Sequence, residues 1–249
     1  SFKGKIEFKN VVFGYNPDED VLKGINLSVE EGKMIAIVGT TGAGKSTIIN
    51  LLNRFYEIKS GKICIDGEDI TNYNLDSLRS QIAVVLQDVF LFADTIYNNI
   101  TLNNAAIHQE EVIAAAKEIG AHNFIMSLPG GYDYNVKERG NMLSSGQRQL
   151  IAFLRAYVSK PSILILDEAT SSIDIYLEEL IQKAIDTITK NRTSIVIAHR
   201  LATIINADKI VVLDNGIVVE EGTHNELLVN ENGFYRKLYD SQFVTQEEF

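Results

Sequence analysis

A glycine-rich octapeptide is the most specific chemical signal in the sequence. It reads GTTGAGKS from Gly39 to Ser46 and follows the apolar run Met34–Val38, which predicts a strand. Its G-x-x-x-x-G-K-S spacing is typical of a loop whose backbone N–H groups face nucleotide phosphates, with the next helix adding its positive end. We expect Lys45 to reach the β- and γ-phosphates and the Ser46 hydroxyl to ligate Mg²⁺. A glycine-rich turn without a ligand is the alternative.

Two adjacent acids end a second apolar run. Asp167 and Glu168 follow Ile163–Leu166 in the segment ILILDE. Ligands of open α/β sheets bind beyond the carboxyl ends of the strands, where these acids fall. We expect Asp167 to hold Mg²⁺ through water, and Glu168 to deprotonate the water that attacks the γ-phosphate. Acids that merely end a strand in solvent are commoner, but the phosphate loop favours the catalytic interpretation.

The elements that must position these groups indicate an α/β fold. Apolar runs predict strands at Ile6–Phe13, Ile25–Val29, Met34–Val38, Lys62–Ile65, Ile82–Leu86, Ile163–Leu166, Ser194–Ile197, Ile210–Leu213 and Ile217–Glu220. Helical spacing appears at Lys45–Leu52, Gln109–Ile119, Gly146–Val158, Tyr176–Thr189 and Gly233–Phe243. Between about residues 87 and 159 helical segments follow one another without a strong strand, which predicts a helical subdomain inserted into the α/β core.

Composition narrows the class of protein. The net charge of -10, from 33 acidic and 23 basic side chains, argues against nucleic acid as a partner. The single cysteine, Cys64, lies in the apolar segment KICID and is predicted to be a buried thiol. No apolar run reaches the roughly 18 to 20 residues that span a bilayer, so we expect a soluble chain. Because the chain begins at Ser1 without methionine, we interpret it as a fragment of a longer protein.

The segment LSSGQRQ, Leu143 to Gln149, resembles the LSGGQ signature of the ATP-binding cassette family, and the resemblance extends over practically the whole chain. It implies a P-loop NTPase core with a mostly parallel sheet, an N-terminal antiparallel β subdomain and an inserted helical subdomain. The core would comprise residues 1–86 and 160–249, and the helical subdomain residues 87–159 of the single domain 1–249.

The remaining family marks occur in order along the chain. Tyr15, in FGY, resembles the aromatic residue that stacks on adenine, and Gln87, in VVLQD, the glutamine that senses the metal and γ-phosphate. The segment SSID, Ser171 to Asp174, resembles the loop that meets a second subunit, and His199, in IAHRL, the switch histidine at the γ-phosphate. Of the four histidines, His199 is the one that follows a predicted strand.

The predicted site residues fall into three groups. Catalytic residues are Lys45, Gln87, Glu168 and His199, and the metal ligands are Ser46, Gln87 and Asp167. Residues expected to contact ATP are Tyr15, Gly39, Thr40, Thr41, Gly42, Ala43, Gly44, Lys45, Ser46, Thr47, Ser144, Ser145, Gly146 and Gln147.

The resemblance also implies a partner. In this family two domains pack head to tail, so Ser144, Gly146 and Gln147 would act on the nucleotide of another domain. Ser145 replaces the first glycine of the usual signature pair. One hypothesis is that it weakens the site it completes, which suits a heterodimer; a tolerated substitution in a homodimer stays open.

Three further segments resemble exporters: ERG at Glu138–Gly140, TIYNNI at Thr95–Ile100 and EEGTHNELL at Glu220–Leu228. The implied function is that of a Mg²⁺-dependent ATPase at the cytoplasmic face of a membrane, driving a transmembrane domain. An importer subunit and a cassette ATPase acting on DNA or ribosomes are alternatives. A nucleotide kinase would leave the signature and His199 without a role.

Overall fold

The computed structural model describes residues 2–137, 142–168 and 175–242. These form two compact units: residues 2–82, 162–168 and 191–242 make up the first, and residues 83–137 and 142–161 with the helix over 175–189 belong to the second. The mixed α/β class predicted from the sequence is confirmed.

The elements of the described residues run as follows. The strands are β1 (Ile6–Phe13), β2 (Leu22–Val29), β3 (Met34–Gly39), β4 (Ser60–Ile65), β5 (Glu68–Asp69), β6 (Ile82–Val85), β7 (Ile163–Asp167), β8 (Thr193–Ile197), β9 (Lys209–Asp214) and β10 (Ile217–Gly222). The helices are α1 (Lys45–Leu52), α2 (Leu75–Ser80), α3 (Ile96–Thr101), α4 (Gln109–Ile119), α5 (His122–Ser127), α6 (Ser145–Val158), α7 (Ile175–Thr189), α8 (Leu201–Asn206), α9 (His224–Leu228) and α10 (Phe234–Gln242).

An antiparallel sheet forms the N-terminal part of the first unit. Its strand order is β2-β1-β4-β5, with Ile6 opposite Val29 on one side and Ile65 on the other. Alternate residues of β1, such as Ile6 and Phe8, are buried, as expected of a sheet with one covered face. Cys64 lies buried in β4, so the predicted core thiol is confirmed.

A second, mostly parallel sheet carries the chemistry of the first unit. Its strands in this unit are ordered β10-β9-β3-β8-β7, with β3 parallel to both neighbours and β10 antiparallel at the edge. Ile163, Leu164 and Ile165 are fully buried, which explains why the central strands are uniformly apolar. Because β3, β7 and β8 are parallel, the segments that follow them emerge at the same edge.

The second unit is helical. Its helix α6 packs against α3, α4 and α7, and buries apolar residues such as Leu150 and Leu154. The half-buried guanidinium of Arg155 donates from Nε to the Asn99 carbonyl at 2.8 Å, which ties α6 to the end of α3. Among the described residues, no helix combines the length and the apolar character that crossing a bilayer requires.

The structure differs from the sequence-based expectation in two ways, which concern individual secondary-structure elements and not the fold class. The helix α7 groups with the second unit, whereas its sequence position assigned it to the core. Hydrophobic periodicity gives a helix and its apolar face, but not the neighbour that covers that face. The short elements β5, α2, α3, α5, α8 and α9 were not predicted, because two to six residues are too few for a periodic pattern.

Candidate active site

The glycine-rich loop leaves β3 where that strand lies beside β9. Gly39 pairs with Leu213 and has φ of +153°, and a Cβ atom there would lie 2.2 Å from the Leu213 carbonyl oxygen. The loop then closes with a hydrogen bond from the Ala43 N–H to the Thr40 carbonyl at 3.2 Å, and α1 begins at Lys45. A glycine is therefore required at the start of the loop for both backbone conformation and space.

Lys45 extends back along the loop. Its Nζ donates to the carbonyl of Gly39 at 2.7 Å and to that of Thr40 at 2.9 Å. Burial lowers the pKa of Lys45, and the negative charge of Asp167 opposes this effect. The loop thus presents a half-buried amino group beside the end of β7, a suitable place for phosphate oxygens.

The two acids that end β7 have different surroundings. Asp167 is half-buried and interacts electrostatically with Lys45, whereas Glu168 is 1% exposed. Successive residues of an extended chain point to opposite sides, which separates the two carboxylates. The two acids, which were expected to have different roles, therefore have different environments.

Three donors hold the Glu168 carboxylate. The N–H groups of His199 and Arg200 donate to Oε2 at 2.7 and 3.0 Å, and the Thr203 hydroxyl donates to Oε1 at 2.5 Å. Burial raises the pKa of the Glu168 carboxyl, and these hydrogen bonds oppose that rise. The side chain thus faces the start of α8 instead of solvent.

His199 follows β8 and is half-buried. Burial lowers the pKa of its imidazole, and the positive charge of Lys45 lowers it further. Both causes favour the neutral ring, which can donate one hydrogen bond and accept another. The structure therefore brings Lys45, Asp167, Glu168 and His199 together at one edge of the parallel sheet.

Tyr15 lies beside the same loop. Its hydroxyl is 3.1 Å from Thr47 Oγ1 and accepts from Asn50 Nδ2 at 3.2 Å, which fixes the ring against α1. The ring meets those of Phe13 and Tyr56 edge to face, with centroids 4.9 and 5.1 Å apart. Tyr15 is nevertheless 48% exposed, so a broad aromatic surface is available for an adenine ring.

The donor chemistry fits Mg²⁺. Ser46 and Asp167 offer hydroxyl and carboxylate oxygens, the ligands that Mg²⁺ prefers. The part of the chain that the structure describes contains no cluster of three or more His, Cys, Asp or Glu side chains placed to hold a metal. Mg²⁺ typically keeps several waters and binds through one or two carboxylates together with substrate phosphates.

The signature residues lie in the second unit, at the start of α6. Ser144 is the N-cap: its Oγ accepts from the Gln147 N–H at 3.2 Å, while its own N–H donates to Gln147 Oε1 at 3.0 Å. Ser144 and Ser145 are exposed and Gly146 is buried. Gln87 is exposed and belongs to the same unit. The predicted contact segments Glu138–Gly140 and Ser171–Asp174 lie outside the described residues.

Comparison with known proteins decides the family. The sequence pattern described as ABC transporter matches residues 22–171 of the chain. This chain belongs to the ABC transporter family. The predicted resemblance to an ATP-binding cassette is thereby confirmed.

Relatives of exporter type match almost the whole chain. Multidrug export ATP-binding/permease proteins of Staphylococcus aureus strains NCTC 8325 and COL are each 51% identical over 241 residues. These 241 residues are 96% of this chain but 42% of either relative. A solved structure of a bacterial Atm1-family ABC exporter with ATP bound matches this chain with a TM-score of 0.89 and 44% sequence identity. The match covers 96% of this chain and 42% of the exporter chain. The chain thus spans about two fifths of the length of these ABC proteins.

Sequence reasoning missed two residues of this ABC site. Thr203 holds Glu168, and Asn50 holds the Tyr15 hydroxyl. A sequence signal exists for the first, since Thr203 follows His199 by four residues, about one helical turn. The helix that would have made this spacing informative, α8, is only 6 residues long and was not predicted.

Proposed function

We propose that this chain is the ATP-hydrolysing motor domain of an ABC exporter. It works at the cytoplasmic face of a membrane as a head-to-tail dimer with a second nucleotide-binding domain, and drives a transmembrane domain. The observation that carries the proposal is the meeting of Lys45, Asp167, Glu168 and His199 at one edge of the parallel sheet. The neighbouring exporter structure with ATP bound supports ATP as the nucleotide.

Each group has a defined task in this proposal. The backbone N–H groups of the loop from Gly39 to Thr47 bind the phosphates, Lys45 compensates the β- and γ-phosphate charge, and Tyr15 stacks on adenine. Ser46 and Asp167 would hold Mg²⁺, which would neutralise charge on the phosphate oxygens.

Hydrolysis is a displacement at the γ-phosphorus. A water oxygen attacks, the bond from that phosphorus to the ADP oxygen breaks, and Glu168 accepts the proton of the water. Neutral His199 donates a hydrogen bond to the γ-phosphate. In the structure Glu168 faces α8, so this role requires its carboxylate to turn towards the water.

The partner domain completes the site. The start of α6 contacts the nucleotide of the partner through N–H groups and a hydroxyl, which belong to Ser144, Ser145, Gly146 and Gln147. The corresponding residues of the partner contact the nucleotide bound by this chain. A heterodimer is the favoured assembly because Ser145 adds a side chain where the usual signature has none. The permease portion in the names of the relatives supports a transmembrane domain as the second partner.

The test compares ATP binding, hydrolysis and dimerisation. Glu168→Gln is expected to abolish turnover, retain ATP and favour the closed dimer, whereas Lys45→Ala weakens both binding and turnover. Glu30→Gln, at an exposed acid of the same unit, is the control and keeps the wild-type rate. Chelation of Mg²⁺ by EDTA stops hydrolysis of the wild-type protein.

Protein concentration supplies the second measurement. If two domains share each site, specific ATPase activity rises with concentration until the dimer is saturated. Full turnover by Glu168→Gln would refute the general-base assignment, and a specific activity independent of concentration would refute the shared site.

A further inference from the structure

The Glu168 carboxylate occupies a closed environment. It is 1% exposed and accepts from two backbone N–H groups and one hydroxyl, at distances of 2.5 to 3.0 Å. The hydroxyl belongs to Thr203, which is itself 0% exposed. A water molecule that attacks phosphate must meet a carboxylate oxygen, and a side chain with so little exposure offers it none.

A conformational change of Glu168 must therefore precede its reaction with water. The three hydrogen bonds must weaken before the side chain can turn to a water, and hydrogen bonds to an ionised group are about twice as strong as neutral ones. Two of the donors are backbone groups of His199 and Arg200, whose positions follow from the end of β8. The third donor is a side chain, and it can be removed without cutting the backbone.

We propose that Thr203 is a positioning residue that holds Glu168 in this inward arrangement, and so sets how readily the carboxylate reaches the attacking water. The proposal rests on the function proposed above for Glu168. It adds a specific latch to that function: release of the Thr203–Glu168 hydrogen bond precedes hydrolysis.

Threonine suits this task for a physical reason. Its branched side chain has few rotamers in a helix, and the hydrogen bond to Glu168 Oε1 selects the direction of its hydroxyl in α8. Valine has the same shape with a methyl group in place of the hydroxyl. Thr203→Val would leave Glu168 Oε1 without this donor in a buried place, which disfavours the inward arrangement relative to the released one.

The test measures steady-state ATPase activity and ATP affinity of the dimeric protein. Thr203→Val is expected to raise kcat about three- to ten-fold with KM for ATP unchanged within about twofold, since a lost charge-assisted hydrogen bond is worth at least that factor. Thr203→Ser, which keeps the hydroxyl, is expected to restore the wild-type rate. A merely structural role of Thr203 would not produce faster turnover at constant KM.

A matched control separates the effect of the Thr203–Glu168 hydrogen bond from a general loss of stability. Thr189 is another buried threonine, whose hydroxyl donates to the Ile185 carbonyl at 2.8 Å within α7. Thr189→Val removes a hydroxyl of similar burial and is expected to leave kcat unchanged. Thermal unfolding of every variant identifies any that fails to fold, in which case Thr203→Ser against Thr203→Ala at reduced temperature makes the same comparison.

A double substitution distinguishes the two proposals. In a Glu168→Gln background, Thr203→Val is expected to have no effect on the residual rate of ATP hydrolysis, because the carboxylate that Thr203 holds is then absent. A lower or unchanged kcat for Thr203→Val, with Glu168→Gln inactive, would overturn the latch and leave the general base in place. Full activity of Glu168→Gln would overturn both.

Discussion

Gly39→Ala tests whether the phosphate loop depends on the close approach of two strands. Residue 39 has φ of +153°, and a Cβ atom would lie 2.2 Å from the Leu213 carbonyl oxygen, where ordinary contact begins at 3.4 Å. Backbone in such a sparsely populated region costs a non-glycine residue roughly 1 to 3 kcal/mol. Crowding in a packed interior adds roughly 1 to 3 kcal/mol more. We expect the free energy of unfolding to fall by about 4 kcal/mol in total.

The assay is urea denaturation, with Gly24→Ala as the matched control. Gly24 also has positive φ, at +86°, but a Cβ atom there would meet nothing within 4 Å. The control therefore reports the conformational cost alone, about 1 to 2 kcal/mol, and the difference between the variants isolates the contact with Leu213. ATP affinity should fall only in Gly39→Ala, because Lys45 bonds the Gly39 carbonyl. Equal unfolding free energies for the two variants would refute the reasoning.

Two further predictions concern Tyr15 and the N-cap of α6. Tyr15→Phe keeps the ring but loses the hydroxyl contacts to Thr47 and Asn50, so ATP affinity should fall less than about fivefold, whereas Tyr15→Ala should weaken it at least about tenfold. Titration with a fluorescent ATP analogue measures both, and equal losses would contradict stacking. Ser144→Ala removes the N-cap of α6 and should lower the unfolding free energy by about 1 kcal/mol. Thr223→Ala, at the equivalent cap of α9, should cost a similar amount without affecting ATPase activity, which Ser144→Ala should reduce.

Elements with a long periodic pattern could be predicted from the sequence. The strand β1 and the helix α4 have the predicted bounds, because eight and eleven residues show a clear repeat of apolar side chains. The segment Thr95–Ile100 was identified by its resemblance to exporters and not as a helix. In the structure Thr95 caps the short helix α3, whose six residues are too few for periodicity to reveal.

The sequence predicted Lys45, Asp167, Glu168 and His199 as site residues, and the structure brings them together, but the sequence did not predict the directions of their side chains. Spacing predicted the loop, the loop favoured a catalytic role for the acidic pair, and the resemblance to the ATP-binding cassette family predicted His199. The sequence could not show that Glu168 turns inwards, since that depends on the N–H groups of residues 199 and 200, which lie between β8 and α8. Tertiary proximity of this kind leaves no pattern in a single sequence.

Ser145 offers a sharper test of the assembly than the sequence alone allowed. It is the first residue of α6, its side chain is exposed, and the reciprocal hydrogen bonds between Ser144 and Gln147 form across it. Serine at this position therefore does not disturb the start of the helix. Any effect of its hydroxymethyl group must fall on what approaches from outside the domain.

Ser145→Gly should accordingly leave the unfolding free energy within about 1 kcal/mol of wild type, the cost of glycine in a helix. If Ser145 weakens a partner's site, the same variant should raise ATPase activity of the assembled dimer, measured at saturating protein concentration. Mixed dimers, in which one chain carries Glu168→Gln, show which of the two ATP sites is affected. Only a site that combines an intact Glu168 with the altered signature of the other chain is expected to hydrolyse ATP faster. An unchanged rate would contradict the weakened site and remove the present argument for a heterodimer, since a serine with an exposed side chain and intact capping is then simply tolerated.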